Sequence, residues 1–563
     1  MARNSAHREA SAPGSPAACP DDGFQAAFDA HRRGALDAAV AGYRRIVAIS
    51  PTHLDAWGNL CVALLAMGRV EESVEAGERA LALRPERAEL HINLAAAFKS
   101  SGRLGHARRA LEQAIALQPA SAPAHINLGN VLRAAGQAGA ALEAYEWAGV
   151  LAPDDLAAHS NQGLALKDLG RPEAALIRFR RALAVNPGAA EVHFNLGNTL
   201  RETGALEAAV EALSRAAALD PAHLRARTNL GVSLRDLGRT QAAVEVFDAV
   251  IARDPGYADA HWNRALALLL AGDFGRGWPA YEWRWKATSM TPRAFDQPLW
   301  DGAPAKGRTI LLHAEQGLGD CLHFVRYAAL VAAQGARVVV ECPAALTGLL
   351  ETCPGISQIT ARGDALPAFD LHAPLMSLPA LLGTEADTIP ADIPYLKAPQ
   401  SAAAELSAAL DAAPPEHRKI GFVWAGNPAH ENDRNRSCDA ACFAPLGEIE
   451  NISLFSLQKD AVLDTPSQLP AAVDLAPLLG DFSDTAFAVA RLDLIITVDT
   501  AMAHLAGALG RPVWLLLPHA PEWRWQLERD DSPWYPTMRL FRQARPGDWD
   551  GVFARLLDAL TSL

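Results

Sequence analysis

The feature that most restricts what this chain can fold into is a period of 34 residues. Prolines stand at 51, 85, 119, 153, 187, 221 and 255, and glycines at 34, 68, 102, 136, 170, 204, 238 and 272. A third register places alanine at 80, 114, 148, 182 and 216. The segments from Gly to Pro and from Pro to the next Gly are each amphipathic at helical spacing. That pattern is helix–turn–helix. Gly permits the tight turn, and Pro ends the second helix because it cannot donate into one. Such units bury their apolar faces only against their neighbours, so the pattern predicts an α-solenoid of about eight units over residues 21–286.

Two further registers carry chemistry. Asn59, Asn93, Asn127, Asn161, Asn195, Asn229 and Asn263 recur on the first helix of their units, the helix that lines the concave side of a superhelix of this kind. Asparagine is a poor helix-interior residue, so propensity alone does not account for seven of them. A carboxamide both donates and accepts, and can pair with a polypeptide backbone whatever its sequence. The alternative is a ladder that bonds one repeat to the next. His91, His125, His159, His193 and His261 also recur, but one per unit leaves them too far apart to share a metal ion. The last unit ends in GDFGRGWPAYEWRWKA, where Trp278, Trp283 and Trp285 are expected to cap the open end by packing.

After a linker over 287–307, strand and helix signals alternate. Strands are expected at Thr309–His313, Arg337–Val340, Phe369–His372, Lys419–Trp424, Ile452–Ser456, Leu494–Val498 and Val513–Leu517. Helices are expected at Cys321–Gln334, Ser401–Ala413, Phe443–Ile449 and Ala501–Leu509. Alternation of this kind predicts α/β structure with parallel, doubly wound sheets. The reading is of two Rossmann-like lobes, 308–400 and 419–563, joined by an interlobe helix and linker over 401–418 and closing on a cleft.

The turn LDLIITVDTAMAHLAG is the strongest candidate site. Its helix starts at the carboxyl end of a buried strand, and free N–H groups there bind phosphate, aided by the helix dipole. That makes Asp499, Thr500, Ala501 and Met502 a phosphate-binding turn, with His504 about one helical turn further on. In the first lobe, Gly317-Leu318-Gly319-Asp320 reads either as a structural turn or as a site. In the second reading Gly319 lets the backbone approach a ligand and Asp320 takes the proton of an attacking hydroxyl. The loop Asn427–Cys438 reads as solvated surface, or as a source of contacts from Asn427, Arg434 and Arg436. Gln458 and Lys459 follow the next strand in the same manner. Pro521–Trp525 (PEWRW) is expected to pack in the core rather than stack on a base.

Composition removes several classes. A net charge of −13 argues against nucleic acid as a partner, since phosphate backbones need a cationic surface. No apolar run approaches the ~20 residues of a transmembrane helix. The first 20 residues have basic groups but no apolar stretch, and read as a disordered leader. Seven cysteines without a CxxC pair suggest thiols in a reducing cytoplasm.

The repeat half resembles tetratricopeptide repeats. ILLHAEQGLGDCLHFVRYAAL together with DTAMAHLAGALGRP resembles the heptosyltransferase family, over most of 308–545. That resemblance implies the GT-B fold, Asp320 as general base, and donor diphosphate at Asp499–Met502 with His504 close by. The family's basic residue after the first strand of the second lobe falls near Arg436, which can clamp phosphate bidentately. Where the family usually has Gly, this chain has Ala501. The asparagine register is similar to that of the O-linked N-acetylglucosamine transferases, whose nucleotide-contacting lysine corresponds to Gln458 or Lys459.

The expectation is a cytoplasmic, inverting glycosyltransferase that moves a sugar from a nucleotide-sugar to Ser/Thr hydroxyls of a protein held along the concave repeat surface. No separate cofactor is expected, and no metal, because no convincing Asp-x-Asp metal motif presents itself. Three rivals stand beside it: a transferase for a lipid or polysaccharide acceptor, a non-catalytic adaptor with a decayed transferase half, and a nicotinamide enzyme, which the lack of a full GxGxxG with a ribose-binding acid disfavours.

Overall fold

The computed structural model describes residues 20–287, 290–430, 432–459 and 472–562. Except for Pro20, which begins the first helix, the stretch read as a leader lies outside them. Helices run in antiparallel pairs from Pro20–Arg32 to Phe274–Tyr281, in the order that the 34-residue period predicts. All eight register glycines have φ between +68° and +81°, the left-handed turn that closes each pair. The alanine register is fully buried, at 0% exposure for each of Ala80, Ala114, Ala148, Ala182 and Ala216. Close helix contact explains a further small residue. A Cβ on Gly163 would lie 2.6 Å from the Phe179 ring.

The recurring histidines have a local task. His91 Nε2 bonds the Pro85 carbonyl at 2.8 Å and His159 Nε2 that of Pro153 at 2.7 Å. His125, His193 and His261 do the same with Pro119, Pro187 and Pro255. Trp57 Nε1 takes that place in an earlier repeat, donating to Pro51 O at 2.9 Å. Proline's carbonyl ends one repeat, and the ring six residues later ties it to the next helix.

The chain forms two compact units. One runs to Ala205 and includes 218–220; the other takes in 206–217 and everything from Pro221 onward. The second unit therefore combines the last repeats with the α/β region. Trp278 is the joint. It is 2% exposed, its Nε1 donates to Thr384 O at 2.9 Å, and its ring meets Trp523 edge-on at 5.2 Å. Trp283 stacks flat on His261 at 3.7 Å, and Trp285 lies under the Arg284 guanidinium. Arg284 itself is fully buried in an ion pair with Glu315 at 2.9 Å.

Two parallel sheets follow. The first has the order β3-β2-β1-β4, from β1 (Thr309–His313), β2 (Arg337–Cys342), β3 (Ile356–Ala361) and β4 (Leu371–Pro374). The second has the order β10-β9-β8-β5-β6-β7, from β5 (Arg418–Val423), β6 (Ile452–Ser456), β7 (Ala472–Asp474), β8 (Leu494–Val498), β9 (Val513–Leu517) and β10 (Met538–Arg542). Every residue of β8 and β9 is buried, as a parallel sheet covered on both faces requires. No helix among the described residues is long and apolar enough to cross a membrane.

Three expected elements differ. The segment 287–307 is no free linker in its described part. Trp300 is 1% exposed, and its N–H donates to His372 O at 2.7 Å beside β4. The helix expected at Cys321–Gln334 is broken into Leu318–Phe324, a 3-10 turn at Val325–Tyr327, and Ala328–Ala333. Phe443–Glu448 lies in a 3-10 stretch, Ala440–Glu448, that Ile449 ends, and Pro445 removes a donor that an α-helix would use.

Candidate functional site

A cleft of about 1160 Å³ opens within the second unit, at the carboxyl ends of β1, β5, β6, β8 and β9. That is where ligands enter parallel sheets, because helix starts and loop backbones converge there. Trp262, Leu266 and Tyr281 of the last repeats form part of its wall.

The DTAMAH turn is built as the sequence suggests. Helix Ala501–Ala508 follows β8 directly, and Thr500 caps it, its Oγ1 accepting from Met502 N at 3.3 Å. Arg436 is brought to this terminus, its Nη1 donating to Asp499 O at 3.0 Å and its Nε to Asp433 at 3.1 Å. Gly426 makes room for it, since a Cβ there would overlap the guanidinium. Burial holds the Asp499 carboxyl above the usual carboxylate range.

The second helix start, at Leu318, meets the first. A Cβ on Gly319 would lie 3.0 Å from His504 Cδ2 and 3.4 Å from Ala501 Cα. Gly319 thus serves the approach of two helix termini. Asp320 lines the cleft, but neither of its oxygens is idle: Oδ2 accepts from Gly317 N at 3.1 Å and Oδ1 from Arg524 Nη2 at 2.6 Å.

His504 lines the cleft with its Nδ1 bonded to Tyr535 Oη at 3.0 Å, while its Nε2 makes no hydrogen bond among the described residues. Burial holds it well below the ordinary histidine value, so it is neutral. His323 shares the same hydroxyl, at 3.0 Å from its own Nδ1, and is neutral for the same reason.

Other expected residues divide. Asn427 and Lys459 line the cleft; the Asn427 carboxamide also caps Ala429 N at 2.9 Å, and the Lys459 ammonium donates to Leu479 O. Gln458 is present but spent, accepting from the N–H of Trp424 and of Ala425 and donating to the carbonyls of Ala425 and Lys459. It anchors the loop after β5 and has little left for a ligand. Arg434 is a correction: it is exposed and does not line the cleft, because the short helix Asp433–Arg436 turns it outward while aiming Arg436 inward.

The asparagine register also divides. Asn59, Asn127 and Asn263 each donate to a carbonyl of their own helix four residues back, at 2.8, 3.0 and 2.9 Å. Asn263 also accepts from Arg235 at 3.1 Å. Asn161 bonds Asn130 of the preceding repeat at 3.1 Å, the inter-repeat ladder of the alternative reading. Asn93, Asn195 and Asn229 are half-buried like the rest.

Sequence reasoning missed Glu522 and Arg524. Both line the cleft inside PEWRW, whose tryptophans pack as expected, with Trp523 and Trp525 at 4% and 0% exposure. Arg524 bridges Asp320 and Glu522, the latter at 2.7 Å, while lying over the rings of Trp523 and Phe324. Burial opposes its charge, but Glu522 and Asp320 more than offset that and keep it cationic. Enclosure in the wall pushes the Glu522 carboxyl up to about 7.

Comparison with known proteins bears on the repeats. Tetratricopeptide-repeat family models match residues 30–97, 92–155, 160–223 and 228–282. Protein FlbA of Caulobacter vibrioides is 27% identical over 328 residues, 53% of this chain and 54% of that protein. The chain thus spans about half the length of the curated relative it matches. Among solved structures, YrrB, described as a TPR protein with an unusual peptide-binding site, is 27% identical with a TM-score of 0.29, covering 33% of this chain and 96% of that one. Pseudomonas aeruginosa pilF is 20% identical with a TM-score of 0.34, covering 38% of this chain and 96% of that one. The helical half of this chain is made of tetratricopeptide repeats.

Proposed function

We propose that the α/β region is a glycosyltransferase of GT-B type, which holds a nucleotide-sugar in the cleft and transfers its sugar to a hydroxyl of a protein recruited by the repeats. The observation that carries this reading is the convergence of Thr500-capped helix Ala501–Ala508, Arg436 and Asp320 on one cavity. A helix start and a guanidinium side by side suit a diphosphate, and a carboxylate across the cavity suits an incoming hydroxyl. The leaving diphosphate would be met by amides already oriented, which costs no rearrangement as charge develops. Acceptor capture rests on the repeats, and Trp262 and Leu266 of the last repeats stand at the cleft wall.

The test is release of nucleoside diphosphate from a panel of nucleotide-sugars. Asp320→Asn is expected to lower turnover by roughly 10²–10⁴-fold, the span of a lost general base; unchanged turnover would remove Asp320 from the chemistry. The Arg524–Asp320 ion pair favours a second reading, binding without transfer. Saturable binding of nucleotide-sugars with no turnover of any of them would select it.

A further inference from the structure

Three buried side chains, His504, His323 and Tyr535, meet behind the cleft wall. Tyr535 stands on the stretch that leads into β10 and lies against the His504 helix. Gly507 admits its ring, since a Cβ there would stand 2.5 Å from Tyr535 Cδ1. The Tyr535 hydroxyl is 3.0 Å from His504 Nδ1 and 3.0 Å from His323 Nδ1. A third neighbour, Tyr395 Oη, is further off at 3.4 Å. Tyr395 gives its own proton to Leu322 O at 2.9 Å and accepts from Arg326 Nη2 at 3.0 Å.

A phenol has one proton to give, and the donors around it decide where that proton goes. Burial holds Tyr535 above the ordinary tyrosine value, so it keeps the proton. The 3.4 Å approach to Tyr395 is beyond ordinary O–H···O contact, so the hydroxyl donates to one of the two imidazoles. Each imidazole is neutral and carries a single N–H. If the hydroxyl donated to His323, that ring would carry its proton on Nε2, which is buried with no partner among the described residues. A buried N–H without an acceptor is costlier than a bare ring nitrogen. His323 therefore donates from Nδ1 to the hydroxyl, and the hydroxyl donates to His504 Nδ1.

Resting on the nucleotide-sugar reading of the cleft, we propose that His504 is a hydrogen-bond donor to that ligand: Tyr535 fixes its proton on Nε2, which gives it to an oxygen of the sugar or of its phosphate. Nδ1 is spent on Tyr535, so Nε2 is the nitrogen left for the cleft that His504 lines. Trp525, stacked on the ring at 5.4 Å, holds its plane. An Nε2 that already carries its proton cannot take one from an acceptor hydroxyl, so His504 is not the base. Tyr535 and His323 are positioning residues, acting on the ligand only through His504.

The experiment is ring-nitrogen NMR of the full chain with isotope-labelled histidine at neutral pH, free and with pyrophosphate, nucleoside diphosphates and nucleotide-sugars. Tyr535→Phe marks the pair, as the two Nδ1 resonances that it moves, and His504→Gln removes one of them. The expected result is His504 protonated on Nε2 and bare on Nδ1, His323 the reverse, and a downfield shift of the His504 Nε2 proton on binding. A shift with pyrophosphate or nucleoside diphosphate assigns the contact to phosphate; one confined to nucleotide-sugars assigns it to the sugar. Should one variant fail to fold, the other still tests the pairing: Tyr535→Phe must move one bare and one protonated Nδ1, and His504→Gln must remove a ring protonated on Nε2. A proton on His504 Nδ1, or an Nε2 proton that a bound donor does not move, overturns the inference and leaves the nucleotide-sugar cleft standing. If no donor binds, the cleft reading falls and the contact with it, while the spectrum of the free protein still shows the tautomer.

Discussion

At the scale of single residues, Glu522 gives the sharpest expectation. Its carboxyl is raised from 4.5 to about 7 by desolvation, so the folded protein holds a proton that the unfolded chain has lost. Stability should therefore decline as pH rises from about 4.5 to about 7, with no further decline from this group above that. At about 1.4 kcal/mol per pH unit the ceiling is on the order of 3 kcal/mol. Solvent reaching the 33% of the side chain that stays open lowers it. Glu522→Gln cannot titrate, so its melting temperature should gain on that of the wild type between pH 5 and pH 8; curves that stay parallel would refute the assignment. Neither Glu522 nor Arg524 is legible as a site residue in the sequence. PEWRW alternates packing and charged positions, and the partner that reveals Arg524, Asp320, lies 204 residues away in the chain. Asp320, Thr500 and Arg436 are legible because each lies in the segment that follows a buried strand. Arg434 misleads because a mixed-charge loop does not disclose which of two nearby arginines its helical turn aims inward.

Among elements, the repeats obey a packing rule that substitutions can read. Gly163→Ala would drive a methyl group into the Phe179 ring, 2.6 Å away. Overpacking of about 1–3 kcal/mol should exceed the gain in helix propensity of up to ~1 kcal/mol, so a net loss is expected. Gly105, also helical, has nothing within 4 Å of the place a methyl group would take, and Gly105→Ala should be neutral or slightly stabilising. Thermal melts of the two variants check the contrast; equal effects would contradict it. Strands β1, β6, β8 and β9 agree residue for residue with the sequence expectation, because short apolar runs between turn residues leave little freedom. Strands β3, β7 and β10 lie at sheet edges, with polar positions that dilute the signal.

For the whole molecule, the 34-residue period conceals where one unit ends. The pattern continues past residue 205, yet the last repeats belong with the sheets because Phe274, Trp278 and Tyr281 join the aromatic cluster of Trp523 and Trp534. A chain beginning at Leu206 should fold cooperatively, whereas one beginning at residue 290 would bare that cluster and should aggregate. Comparable solubility and melting of the two would contradict this partition. In the function proposed for the full chain, the Ala501 helix start and Arg436 hold the diphosphate of a sugar donor while the sugar is transferred. Nucleoside diphosphate release from a nucleotide-sugar panel, by the full chain and by Arg436→Ala, measures this without intermediary steps. Release by the wild type, reduced at least about tenfold in the variant, is the predicted result, since a charge-assisted contact to phosphate is lost; release that does not depend on Arg436, or none from any donor, would contradict it.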